Sequence, residues 1–300
     1  MNHRQSHIII LLLLLLSLCH AAVAVDSGRF AFRKFNAIDK LPIDEVRCMH
    51  QDRLGFVWIG TKNGLYRYDG FHIKSFRNTE HTPFLLPSDN ITYITDDKDC
   101  NLWIGTKNGL CCMDMRTGLT KTYHFPDFDN CDAVNRILVM SDGRMYVGTE
   151  GGLYSYSRKD DSFELLCDQR GNSKVPHSSV SCLYEGRNGM LWVGTWDRGL
   201  YRYDKRIKQW YELPPFNTQH SAQCVYEDLD GTLWVGTWGS GLYKIYNPLD
   251  TGTPLRFTNF TIDTTGGQLT SNIIWDIEHE NVTGLTWIGM PNGLAMIDNT

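Results

Sequence analysis

The chain has 300 residues, 42% of them hydrophobic and 12% aromatic, enough apolar side chain to fill a large core. A formal net charge of -5 leaves no basic field to hold phosphates, which argues against nucleic acid as a partner.

The first 24 residues do not read as part of a fold. Arg4 precedes an unbroken apolar run over residues 8–16, and Ala22-Val23-Ala24 offers a small-x-small cleavage site. This is the form of a secretory signal cleaved after Ala24, which would leave residues 25–300 exported and periplasmic. The run is too short for a transmembrane helix. Leu18, large where lipoprotein processing wants a small residue, argues against lipidation of Cys19.

Six segments then repeat one another: FVWIGTKNGLYRYD from Phe56, LWIGTKNGLCCMD from Leu102, MYVGTEGGLYSYS from Met145, LWVGTWDRGLYRYD from Leu191, LWVGTWGSGLYKIY from Leu233 and TWIGMPNGLAMID from Thr286. The glycine two residues past each Trp or Tyr stands at 60, 105, 148, 194, 236 and 289, giving spacings of 45, 43, 46, 42 and 53 residues. A nearly fixed period of this size marks a repeat array.

Within the first repeat, an apolar strand from Val46, the turn Asp52-Arg53-Leu54-Gly55, a strand through Trp58, a third strand to Tyr68, the turn Asp69-Gly70 and a fourth strand to Phe76 follow in order. Four strands in this length make a propeller blade. The reading is an all-β propeller of four-stranded blades, with six repeat cores near 46–76, 91–125, 134–166, 180–213, 222–260 and 273–300. The sixth has no fourth strand before Thr300. Residues 30–35, an isolated aromatic strand FAFRKF, would either close a six-bladed ring or belong to a larger propeller of which this chain is the front; the abrupt end favours the second. No segment after residue 24 shows helical periodicity.

Blade stacking explains the signature. A blade buried on both faces needs an apolar second strand without alternation, as in LWVG. The Trp would fill the space between blades, Gly194 would meet the next blade, and Gly199 would take a positive φ in the turn that follows. Cys48, Cys182 and Cys224 share one place in three repeats, where Tyr93 and Trp275 stand in two others, so they read as buried hydrophobes rather than disulfide halves. With no C-x-x-C, no metal or redox site is expected, and nothing implies a cofactor.

The pattern W-[IV]-G-T-x-x-G-L-x-x-[YM]-D, with VRCMHQDRLGFVWIGTKNGLYRYDG in the first repeat, resembles the two-component regulator propeller repeat. It is most similar to the first periplasmic sensor propeller of hybrid two-component systems of Bacteroidetes-type bacteria. The resemblance covers residues 30–300. It implies seven-bladed propellers in tandem, one downstream transmembrane helix, a histidine kinase, an oligosaccharide ligand and signalling as a homodimer.

Function has to come from departures from the repeat. The loops between second and third strands read Lys62-Asn63, Lys107-Asn108, Glu150-Gly151, Trp196-Asp197-Arg198, Trp238-Gly239-Ser240 and Pro291-Asn292. Two are a residue longer and carry an extra Trp. Trp196 and Trp238 would offer flat apolar faces to sugar C–H groups, with Asp197, Arg198, Lys62 and Lys107 as polar partners, unless the two indoles simply pack together. A propeller glycosidase or lyase would need paired carboxylates or a converging Tyr, His and Arg set; the acids follow the repeat and the histidines are scattered, so no catalytic residue is assigned. A purely protein-binding scaffold is the third alternative.

Overall fold

The strand Leu191–Thr195 is buried at every position, with no alternation between an inner and an outer face. Its equivalents Met145–Thr149 and Leu233–Thr237 are the same. Such a strand has a protein neighbour on both sides, and the structure supplies one on each. The computed structural model describes residues 45–78, 86–125, 132–166, 178–214, 216, 221–250, 252–280 and 284–297, which all fall within one compact unit spanning 40–300. The proposed signal (1–24) and the strand at 30–35 lie outside the described residues.

Six antiparallel sheets follow in sequence, each a simple meander of consecutive strands; the first five have four strands and the sixth has three. They form the blades of a β-propeller, and no helix occurs among the described residues. The first strands, Val46–Gln51, Ile91–Asp96, Val134–Val139, Val180–Glu185, Ala222–Glu227 and Asp276–Glu280, are innermost and lie each against the next.

The repeated Trp packs forward onto the following blade. Trp58 joins Ile91 and Ile94, Trp103 joins Val134 and Ile137, Trp192 joins Ala222 and Val225, and Trp234 joins Ile274 and Ile277. All four are 1–3% exposed. The glycine after each Trp lets the blades come this close. A Cβ on Gly194 would lie 2.3 Å from Cys182 Sγ and 2.6 Å from the Ala222 carbonyl oxygen of the next blade. In the turn that follows, Gly199 has φ of 82°, the left-handed conformation its place demands.

Each of the first five inner strands carries a bulge near its start. In blade 4, Val180 pairs with Thr195 and Cys182 with Gly194, so Ser181 is the extra residue, and its hydroxyl donates to the Ala222 carbonyl of blade 5. Thr92 makes the corresponding bond to the Val134 carbonyl.

Two expectations about the inner strands are corrected. The residue facing the repeat glycine is Cys48, Tyr93, Arg136, Cys182 and Cys224 in blades 1 to 5, and in blade 6 it is Asp276, not Trp275. The sixth repeat has one residue more between this strand and its glycine, which moves Trp275 out of register and leaves it 52% exposed. For the same reason its first strand begins at Asp276, while Ile273 makes only an isolated bridge to Trp238. Pairing in this blade runs to Glu280, and residues 281–283 lie outside the described residues.

The six described cysteines are free thiols. Burial pushes Cys48 and Cys182 up to about 12 and Cys224 well above the ordinary thiol value, consistent with their reading as buried hydrophobes.

Candidate functional site

The loops between second and third strands are built on one device. A buried threonine ends the second strand and clamps the loop: Thr195 Oγ1 donates to the Gly199 carbonyl at 3.0 Å and accepts from Arg198 N at 3.1 Å. Thr61, Thr106, Thr149 and Thr237 close their loops the same way, onto Gly64, Gly109, Gly152 and Gly241. The first loop residue is tied in turn to the chain entering the same blade, with Trp196 N donating to Ser179 O at 2.9 Å and Trp238 N to Ser221 O at 3.2 Å. These loops therefore share a face with the interblade connections, and their side chains project from a fixed backbone.

On that face Trp196 of blade 4 and Trp238 of blade 5 meet, with ring centroids 5.1 Å apart and planes at 52°. They pack on each other, yet remain 47% and 46% exposed. Burying a full indole is the usual outcome in this chain, as the four interblade tryptophans show. A mutually braced pair left half open is a preformed apolar platform.

The polar groups beside it are partly committed. The Asp197 carboxylate accepts from Ser178 Oγ, which pins the loop to the connection entering blade 4. Arg198 Nε lies 4.0 Å from Asp197 Oδ2, with both side chains about half exposed. This loose, exposed pair leaves the hydrogen-bonding capacity of the guanidinium largely available to solvent.

The two lysines are elsewhere. Lys107 Nζ is 2.7 Å from Glu150 Oε1, an ion pair joining the loops of blades 2 and 3. Lys62 is exposed on the loop of blade 1. With the blades in sequence order around the axis, neither joins the platform on blades 4 and 5. Trp275, which sequence reasoning placed in the core, is the third large exposed indole on the inner strands or their loops. The longer spacing to its glycine was the signal that could have revealed it.

The fold and this loop geometry define a β-propeller whose second-to-third-strand loops share one face with the interblade connections. The sequence profile of the two-component regulator propeller matches residues 40–63, 85–108 and 174–197. The first, second and fourth repeats of this chain thus match that profile. A histidine kinase of Formosa agariphila is 34% identical over 65 residues, 22% of this chain but only 5% of that protein. Among solved structures, the extracellular domain of a hybrid two-component system from B. thetaiotaomicron superposes with a TM-score of 0.60 at 23% identity, over 84% of this chain and 37% of that one. PorZ, a surface component of the type-IX secretion system of Porphyromonas gingivalis, gives 0.63 at 19% identity, over 84% and 38%. The virginiamycin B lyase of Staphylococcus aureus gives 0.62 at 15% identity, over 85% and 81%. These structural likenesses report the propeller fold, and the chain spans less than two fifths of the length of the first two.

Proposed function

We propose that this chain is the ligand-sensing propeller of a transmembrane two-component regulator, exported to the periplasm, and that its ligand is an oligosaccharide seated on Trp196 and Trp238. The family supports the sensor role, and the kinase relative supports a signalling context for the parent protein. The observation that carries the ligand reading is the exposed indole pair, supplied by the two longer loops. Stacking of sugar C–H groups on the rings, with Arg198 and Asp197 bonding hydroxyls, is the chemistry such a platform serves. Signalling then follows if the saccharide binds one pairing of sensor domains in a homodimer better than another and shifts the population between them, relayed through a downstream membrane helix.

The test is a titration of the purified chain with a panel of oligosaccharides by calorimetry, repeated with Trp196→Ala and Trp238→Ala after confirming that both retain the wild-type far-UV spectrum. A saccharide that binds the wild type should lose about tenfold or more in affinity with either change. Equal binding by all three proteins would refute the site.

A further inference from the structure

The inner strands line an open axial cavity of about 1180 Å³. Its wall includes the ring of residues that face the repeat glycines: Cys48, Tyr93, Arg136, Cys182, Cys224 and Asp276. Four of these are uncharged and two carry opposite charges, so Arg136 and Asp276 are the points at which the repeat is broken in favour of charge. We propose that this cavity is a second binding site, separate from the tryptophan platform, for a small monocarboxylate that also bears hydroxyl or ammonium donors. Its carboxylate is taken by Arg136 and its donors by Asp276.

Arg136 is not consumed by the fold. Its guanidinium donates to the Asn135 carbonyl at 2.8 Å and lies 5.7 Å from the centre of the Tyr93 ring, and no carboxylate of the described residues is within ion-pair distance of it. A guanidinium has five donors in a planar fork, so most of this one remains to meet a planar anion. The other guanidinium groups on the wall are occupied: Arg47 by Glu45 and Asn90, Arg187 by the Leu229 carbonyl. Arg136 also bears electrostatically on Cys48, Cys182, Cys224, Tyr93 and Asp276, groups from all five other blades, which places its charge near the axis.

Two further groups point to an occupant. Gln223, a residue of the same cavity wall, has a buried Nε2 with no hydrogen-bond partner among the described residues, an unmet donor. Asp276 accepts only the amide of its own neighbour Ile277, at 3.0 Å. Burial between the cavity walls raises its carboxyl above the ordinary value, against the lowering influence of the Ile277 amide and of Arg136. Asp276, Glu278 and Glu227 together make the cavity hostile to a doubly charged anion such as phosphate, whereas one carboxylate matches the one unpaired cation. The volume suits a small organic molecule.

The experiment uses the whole chain and two probes that share this chemistry, glucuronate for a sugar acid and serine for an amino acid, with glucose and inorganic phosphate as controls. At least one of the two acids should bind by calorimetry and raise the melting temperature, while glucose and phosphate do neither. Arg136→Gln should weaken that binding by about tenfold or more, and Arg136→Lys, which keeps the charge but loses the fork, should recover only part of it. Trp196→Ala should leave it unchanged, so this site and the saccharide platform can fail independently. Should Arg136→Gln prove unstable, Asp276→Asn reads the other end of the ligand and should also weaken binding. No binding of either acid to the wild type, undiminished binding by the variants, or equal binding of phosphate would overturn the proposal. So would full restoration of the melting temperature in the Arg136→Gln/Asp276→Asn double variant with no change in binding, because Arg136 would then serve only to offset Asp276.

Discussion

Asp97 Oδ2 accepts a hydrogen bond from the buried indole Trp103 Nε1 at 2.8 Å, and the same aspartate accepts the amides of Asp99 and Asn101. One carboxylate thus fixes both the turn between the first two strands of blade 2 and the indole that seals blade 2 against blade 3. Asp52 and Trp58 repeat the arrangement in blade 1 at 2.7 Å. In blade 4 the aspartate position is Gly186, and Trp192 Nε1 has no partner among the described residues.

Replacing Asp97 by Ala leaves a buried indole donor unmet and frees a turn. The expected loss is about 1–3 kcal/mol, at about 2–4 °C of melting temperature per kcal/mol for a chain of this size. The pH dependence has a definite sign. Burial raises the Asp97 carboxyl, but the hydrogen bonds from the Asn101 side chain, Trp103 and the two amides outweigh it and hold the group below the ordinary carboxylate range. A lowered folded value means that the stabilisation is present above the unfolded value and is lost as pH falls through the folded one. Acid titration of the melting temperature should therefore fall more steeply in the wild type than in Asp97→Ala, and parallel curves would show that Asp97 does not contribute in this way.

The repeat glycines should not be equivalent. A Cβ on Gly194 would meet the backbone of blade 5 at Ala222 O, which cannot move aside without shifting the blade. At Gly289 of blade 6 the nearest atoms are those of Asp276 in the same blade, at 3.7 Å. Gly194→Ala is expected to cost about 1–3 kcal/mol or more, whereas Gly289→Ala should stay within about 0.5 kcal/mol of the wild type. Urea denaturation of the two variants decides it. A large loss at Gly289 would mean that a further blade packs there.

The blade architecture was legible because it is written six times, and a period survives local exceptions such as Tyr146 for Trp. The Trp and glycine roles could be read for the same reason: stacking needs a bulky residue and a gap at fixed places in every copy. The threonine clamp was present in the repeated G-T but had no meaning until the loop carbonyl it reaches was in place. Likewise the spacing of Asp52 to Trp58 and of Asp97 to Trp103 was identical in the sequence, yet the bond needs the turn to bring the two together. The candidate site was legible in part. Trp196 and Trp238 were singled out as departures and do meet, while Lys62 and Lys107, chosen because they sit at matching loop positions, are carried away by the rotation from blade to blade. Asp276 was missed because the inner strand was aligned one residue out in blade 6, whereas Arg136 already stood in register with Cys48, Cys182 and Cys224 and its charge at that position was the signal passed over.

Burial of the inner-strand thiols has a chemical consequence. The thiolate is the species that attacks an alkylating reagent, and Cys48, Cys182 and Cys224 are held far toward the thiol by their desolvated surroundings. Native protein treated with iodoacetamide near neutral pH should leave all three unmodified, and all three should react after unfolding in urea. Mass spectrometry of the peptides reads this directly. Rapid native labelling of Cys182 or Cys224 would show that their surroundings do not hold them as thiols.

The platform tryptophans should brace each other without holding up the fold. Each is about half exposed and neither belongs to an interblade cluster, so Trp196→Ala and Trp238→Ala should each destabilise far less than the loss of Trp192, which fills the space against blade 5. The double variant should cost less than the two single losses combined, because the first substitution already removes the contact between rings. A coupling of about 0.5–1.5 kcal/mol is expected for such an aromatic pair. Denaturation of the four proteins measures it. A coupling near zero would mean that the indoles move independently, and a ligand would then have to order both on binding, weakening the case for a preformed sugar platform. A coupling in the expected range would mean that the rings are already set at their 52° angle before any ligand arrives.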